Sequence, residues 1–155
     1  MHIDSSTGAV ELPLITLGSS TSRAEFEASP VFAVASPLVD NPPWKSWSFV
    51  GGNVGTARIL VSAYFEGSAL RMIDLVVTDE PGSTWDEWTT EKEAATKERH
   101  DALCRVWLGN PTEILSSSDE AISGALHYVF PWGKVLSGYD SKGGASSIMV
   151  RYEQA

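Results

Sequence analysis

Residues 56–79 read TARILVSAYFEGSALRMIDLVVTD, and this stretch decides the fold. Ile59, Val61 and Ala63 alternate with Leu60, Ser62 and Tyr64. Beyond Glu66-Gly67-Ser68, Leu70, Met72 and Asp74 alternate with Arg71, Ile73 and Leu75. A period of two is the mark of a strand, and a short glycine connection between two such runs predicts an antiparallel hairpin. Both faces of each run carry apolar residues, which predicts a central place in a sheet.

A second pair of runs lies near the end of the chain. Residues 133–139 and 146–152 flank Asp140-Ser141-Lys142-Gly143-Gly144. Val135, Ser137 and Tyr139 share a face of the first run, and Ile148, Val150 and Tyr152 share a face of the second. The glycines supply the positive φ that a hairpin tip needs. A phosphate-cradling loop would place Lys after the glycines and a helix after the Lys. Here Lys142 precedes them and a β run follows, so Lys142 is expected to project from an exposed tip.

Between the two β regions, residues 84–108 read as one long helix. Ser83 and Thr84 are candidate caps, Asp86, Glu87, Glu91 and Glu93 load the first half with acid, and Lys97, Arg99 and Arg105 load the second with base, matching the helix dipole. Gly109 and Pro111 end it. Glu93–Lys97 and Asp101–Arg105 are spaced as ion pairs along the helix. At about 100° per residue, Trp88, Ala95, Ala102, Leu103 and Val106 form the apolar stripe, with Trp85 at its edge. Lys92 and Arg99 fall on that same stripe, either snorkelling to water or bordering a polar groove. A shorter helix is expected in LGSSTSRAEFEASP, capped by Ser20 or Thr21 and closed by Pro30.

The predicted fold is therefore α+β, a single domain over residues 1–155. One antiparallel sheet of about five to six strands packs against one long amphipathic helix, with a short N-terminal helix added. Segregated β runs exclude the alternation of a doubly wound fold.

The chain has 155 residues and a net charge of −9. No basic patch appears, which disfavours nucleic acid and suits a basic protein partner. One cysteine, Cys104, precludes a disulfide within the chain. Residues 1–13 lack the basic and apolar regions of a signal peptide, and no apolar run approaches a membrane span. A cytoplasmic protein is expected, with no membrane partner.

Catalytic signatures are few. His100 and Cys104 lie four apart on the helix, a spacing that would suit a nucleophile pair or half a metal site. The favoured reading has Cys104 as a small apolar filler and His100 as a flank residue. Asp86, Glu87 and Glu91 are explained as dipole partners. No nucleophile elbow, zinc signature, calcium loop or dinucleotide fingerprint occurs, so no cofactor and no metal are expected and nothing argues for an enzyme. The excess lies in aromatics, with six tryptophans. On a strand, Trp44 and Trp47 would point to opposite faces. Trp44 and Trp85, near loops, are candidate contact residues, because tryptophan combines large area with a polar handle.

Three stretches, LPLITLGSSTSRAEFEAS, STWDEWTTEKEAATKERHDALCRVWLG and FPWGKVLSGYDSKGGASSIMVRY, together resemble a group of small bacterial cytoplasmic proteins of similar length, with these segments in this order. The resemblance covers about half of the chain and carries over no catalytic residue. By analogy of type, it implies an immunity protein that neutralises a toxin. The expected function is thus a non-catalytic protein-binding module of the immunity or antitoxin kind. The alternative is a small-molecule-binding protein or weak enzyme with a polar site beside the long helix, near Lys92, Arg99 and His100. Candidate binding residues are Trp44, Trp85, Lys92, Arg99, His100 and Lys142.

Overall fold

A computed structural model describes residues 1–79, 84–117 and 119–153. The described residues form eleven strands in two antiparallel sheets, together with one long helix. The fold differs from the expected single sheet of five to six strands. The large sheet has eight, and a separate sheet of three lies at the N-terminus.

The small sheet is built from β1 (His2–Ile3), β2 (Val10–Glu11) and β3 (Thr16–Leu17). A short helix α1 (Arg23–Glu27) follows. Its cap is Ser22, whose hydroxyl accepts from the Glu25 N–H while the Glu25 carboxylate accepts from the Ser22 N–H. Pro30 does not close this helix; it opens a 3-10 turn over Pro30–Val34, because its fixed φ suits a first helical position.

The large sheet consists of two four-stranded meanders. The first is β4 (Ser36–Asn41), β5 (Trp44–Val54), β6 (Ala57–Glu66) and β7 (Ala69–Thr78). Helix α2 (Thr90–Leu108) leads to the second, β8 (Glu113–Leu115), β9 (Ala125–Phe130), β10 (Gly133–Asp140) and β11 (Ala145–Tyr152). The meanders join through β7 and β11, giving the order β4-β5-β6-β7-β11-β10-β9-β8. The hairpin that decided the sequence reading, β6–β7, therefore sits near the middle.

One face of this sheet is covered. Ile59, Val61, Ala63 and Phe65 of β6, Ile73, Leu75 and Val77 of β7, and Ile148 and Val150 of β11 are buried there. Helix α2 packs over β7, β10 and β11. Fully buried Phe26 of α1 lies 5.4–5.7 Å, centroid to centroid, from Phe65, Trp47 and Phe49. Ile3, Val10 and Leu17 of the small sheet complete the core. The Tyr152 hydroxyl donates to the Gly8 carbonyl at 2.8 Å, pinning the N-terminal segment to β11.

Helix α2 departs from expectation in two ways. It begins at Thr90, capped by the Thr89 hydroxyl, while Trp85–Glu87 form a separate 3-10 turn capped by Thr84. Ser83 lies outside the described residues. The buried side is also not the predicted stripe. Ala95 and Ala102 are exposed and Val106 is 81% exposed, whereas Lys97, His100 and Cys104 are buried. Two of these three are polar, so apolar periodicity points to the wrong side.

Candidate functional site

Beneath α2 the polar side chains are met by other elements. Lys97 Nζ donates to both carboxylate oxygens of Asp101, at 2.6 and 2.7 Å, and to the Gly124 carbonyl at 3.0 Å. The Ser137 hydroxyl donates to Asp101 at 2.7 Å and the Ser123 hydroxyl at 3.2 Å. The expected pairs Glu93–Lys97 and Asp101–Arg105 are displaced by this network. Glu93 instead accepts the Ser146 N–H of β11 at 2.9 Å.

His100 Nε2 accepts the Val77 N–H at 2.9 Å, which leaves the ring proton on Nδ1. Burial, foremost, pushes its pKa down to about 4. Burial also pushes the Cys104 thiol up to about 12. Both groups are thus held neutral, the opposite of what an activated cysteine requires. Among the described residues, no three His, Cys, Asp or Glu side chains gather as a metal cluster.

The two bases of the predicted stripe lie outside this seam. Arg99 pairs with Asp79 at 2.5 Å and reaches the Val77 carbonyl at 3.4 Å, clasping the end of β7. Lys92 is exposed, and with Arg99, Thr78 and Trp88 it lines a groove of about 190 Å³. His100 is buried behind that groove and does not line it. Trp85 is 71% exposed at the far end, over the tip of the β10–β11 hairpin. Gly144 (φ 64°) fits beneath the Trp85 ring, where a Cβ would lie 2.7 Å from ring carbon, and its carbonyl accepts the Trp88 indole N–H at 2.7 Å. Lys142 projects from the same tip, exposed.

The uncovered face of the large sheet tells a different story. Cross-strand register places Ser48, Ser62, Asp74, Met149, Leu136 and His127 in one row across six strands. The adjacent row runs Val39, Ser46, Tyr64, Met72 and Arg151. A groove of about 420 Å³ opens over the β5–β6–β7 end of this face, with Ser48, Ser62 and Asp74 among apolar walls of Val50, Leu60 and Val76. Val34 and Val50, which line it, are exposed, as are Leu38, Val39 and Trp44 farther along β4 and β5.

Asp74 is the unusual residue of this face. Its Oδ1 is buried with no hydrogen-bond partner, and among the described residues it forms no salt bridge. Burial holds its carboxyl above the ordinary carboxylate range, and the Ser147 hydroxyl offsets only part of that. Its charge in turn helps to raise the neighbouring Tyr64 hydroxyl, after burial.

Of the six residues singled out from sequence, Trp44 alone lies on this face. Trp85 packs over Gly144 of the hairpin tip from which Lys142 projects, Lys92 and Arg99 line the helix groove, and His100 is in the core. They do not form one site. Asp74 was passed over as one position in an alternating strand. The available signal was an acid amid the apolar run MIDLVV. Comparison with protein-family models, with curated proteins and with solved structures finds no match to this chain.

Proposed function

We propose that this chain is a non-catalytic protein-binding module of the immunity or antitoxin type, holding its partner on the uncovered face of the eight-stranded sheet. The observation that carries this is the gathering of exposed Val34, Leu38, Val39, Trp44 and Val50 at the β4–β5 end. Exposed apolar groups collected in one region mark interaction surfaces, whereas scattered ones need no explanation. The edge beside them is guarded. Pro37 removes a donor from β4, the pairing shifts register between Pro37 and Val39, and Asp40 adds charge. Those devices resist strand addition, so the contact is made by side chains on the face. The net charge of −9 favours a basic partner and speeds its association at low salt.

Co-expression with the product of each neighbouring gene tests this. One product is expected to co-purify, to associate more slowly as salt rises, and to be lost with Val39→Glu/Val50→Glu at unchanged melting temperature. A complex that survives the double substitution, or the absence of any complex, overturns the proposal.

A further inference from the structure

We infer that the groove over Asp74 is a pocket for an arginine side chain of the basic partner, an inference that rests on the docking face proposed above. Buried polar atoms in folded chains are almost always paired, so each exception calls for a cause. Beneath α2 every oxygen of Asp101 is satisfied, and the unpaired atom there, His100 Nδ1, belongs to a neutral ring. On the other face Ser46 Oγ and Asp74 Oδ1 are buried without a partner, and Asp74, the one of these that bears charge, lines a groove of about 420 Å³. An unpaired acceptor that bears charge is completed best by a cationic donor.

The surroundings choose among cations. Two hydroxyls, Ser48 and Ser62, lie in the same cross-strand row as Asp74, so acceptors are spread along a line. A guanidinium presents five donors in one plane and can serve a carboxylate and neighbouring hydroxyls together. An ammonium is a compact, strongly hydrated point charge, and Val50, Leu60 and Val76 offer its hydration shell nothing. The same apolar walls suit the aliphatic stem of an arginine. A hard divalent cation needs six or more oxygens, several of them anionic, and one carboxylate does not supply them. The raised carboxyl of Asp74 has the same origin: burial without a countercharge, which a bound guanidinium relieves.

The test is NMR titration of the isotope-labelled full chain with N-acetyl-arginine amide and, separately, with its neutral citrulline counterpart. The arginine probe is expected to shift the amides of Ser62, Asp74 and Val76 saturably, with a Kd of about millimolar for so small a ligand. Citrulline, or the Asp74→Asn chain with the arginine probe, should bind about tenfold more weakly, the loss of a charge-assisted contact. Asp74→Asn should at the same time raise the melting temperature by about 2–4 °C, since it removes an uncompensated buried charge. Equal binding of both probes, an Asn variant that binds as tightly, or a lack of saturable shifts overturns the pocket. So does a lower melting temperature for Asp74→Asn, which would assign the residue to the fold. A partner complex that forms but is indifferent to Asp74→Asn removes the pocket and leaves the docking face. A probe that binds where no partner complex forms keeps the pocket and removes the docking face.

Discussion

Asp101 and Asp74 are both sheltered carboxylates, one on each side of the large sheet. Asp101 sits under α2 with a lysine and two serine hydroxyls on its oxygens. Asp74 sits on the uncovered side with one serine and an idle oxygen. On the covered side the buried Lys97–Asp101 pair is complete within the chain, and the idle atom there, His100 Nδ1, belongs to a neutral ring. On the uncovered side an idle oxygen belongs to a carboxylate residue that lines a groove. On the reading proposed above, the difference separates a polar residue kept for the fold from one kept for a partner.

The largest way to break the comparison is at Lys97. Removing one partner of a buried pair strands the other charge, so Lys97→Met should cost about 3–5 kcal/mol in denaturant unfolding. Replacing both, as Lys97→Met/Asp101→Leu, should recover most of that loss. If the single substitution is as mild as the double, Asp101 is not held by Lys97 and the contrast with Asp74 collapses.

Next comes His100. Its folded pKa is depressed from 6.5 to about 4, chiefly by burial. The unfolded chain therefore takes up the proton first, and stability is fully present above about pH 6.5 and lost as pH falls toward 4. The loss is about 3 kcal/mol at most. His100→Gln keeps an acceptor for the Val77 N–H and should flatten this slope, measured as the difference in unfolding free energy between pH 7 and pH 4.5. Asp74 works in the opposite sense. Its folded pKa is raised, so the folded state protonates first and gains stability as pH falls through that value. An unchanged slope in the glutamine variant would mean that His100 is already protonated in the folded chain.

The smallest effect belongs to Lys142. It is exposed at the hairpin tip, with its N–H donated to Asp140 at 2.9 Å, a contact that any residue can make. Lys142→Ala should leave the melting temperature within the range of about ±0.5 kcal/mol typical of surface changes. A loss comparable to that of a core substitution would show the tip to be held by the lysine side chain.

Several elements were legible because their cause is local. Alternation in residues 56–79 is a property of neighbouring positions, and it marks β6 and β7 nearly to their ends. The tip between β10 and β11 follows from two glycines between alternating runs. Other strands were hidden. β5 begins directly after Pro42-Pro43 and crosses Gly51-Gly52, so breakers obscure its Trp47, Phe49 and Ser48 alternation. β8 is three residues long with every one exposed, and gains its partner only when β9 comes alongside.

The site lies further from local cause. Composition and spacing alone determined a chain rich in antiparallel hairpins, a helix near residue 100, an acidic surface and no recognisable catalytic signature. Which side of that helix is buried was decided elsewhere. Lys97 and His100 can enter the core only because Gly124, Ser123 and Val77 bring a carbonyl, a hydroxyl and an N–H to meet them. Whether Asp74 faces a finished interior or an open groove depended on where α2 and the N-terminal strands packed. An alternating strand specifies that two faces exist, but the free energy of covering one of them is collected from residues distant in the chain. Only the assembled sheet assigned Ser48, Ser62 and Asp74 to the side left uncovered.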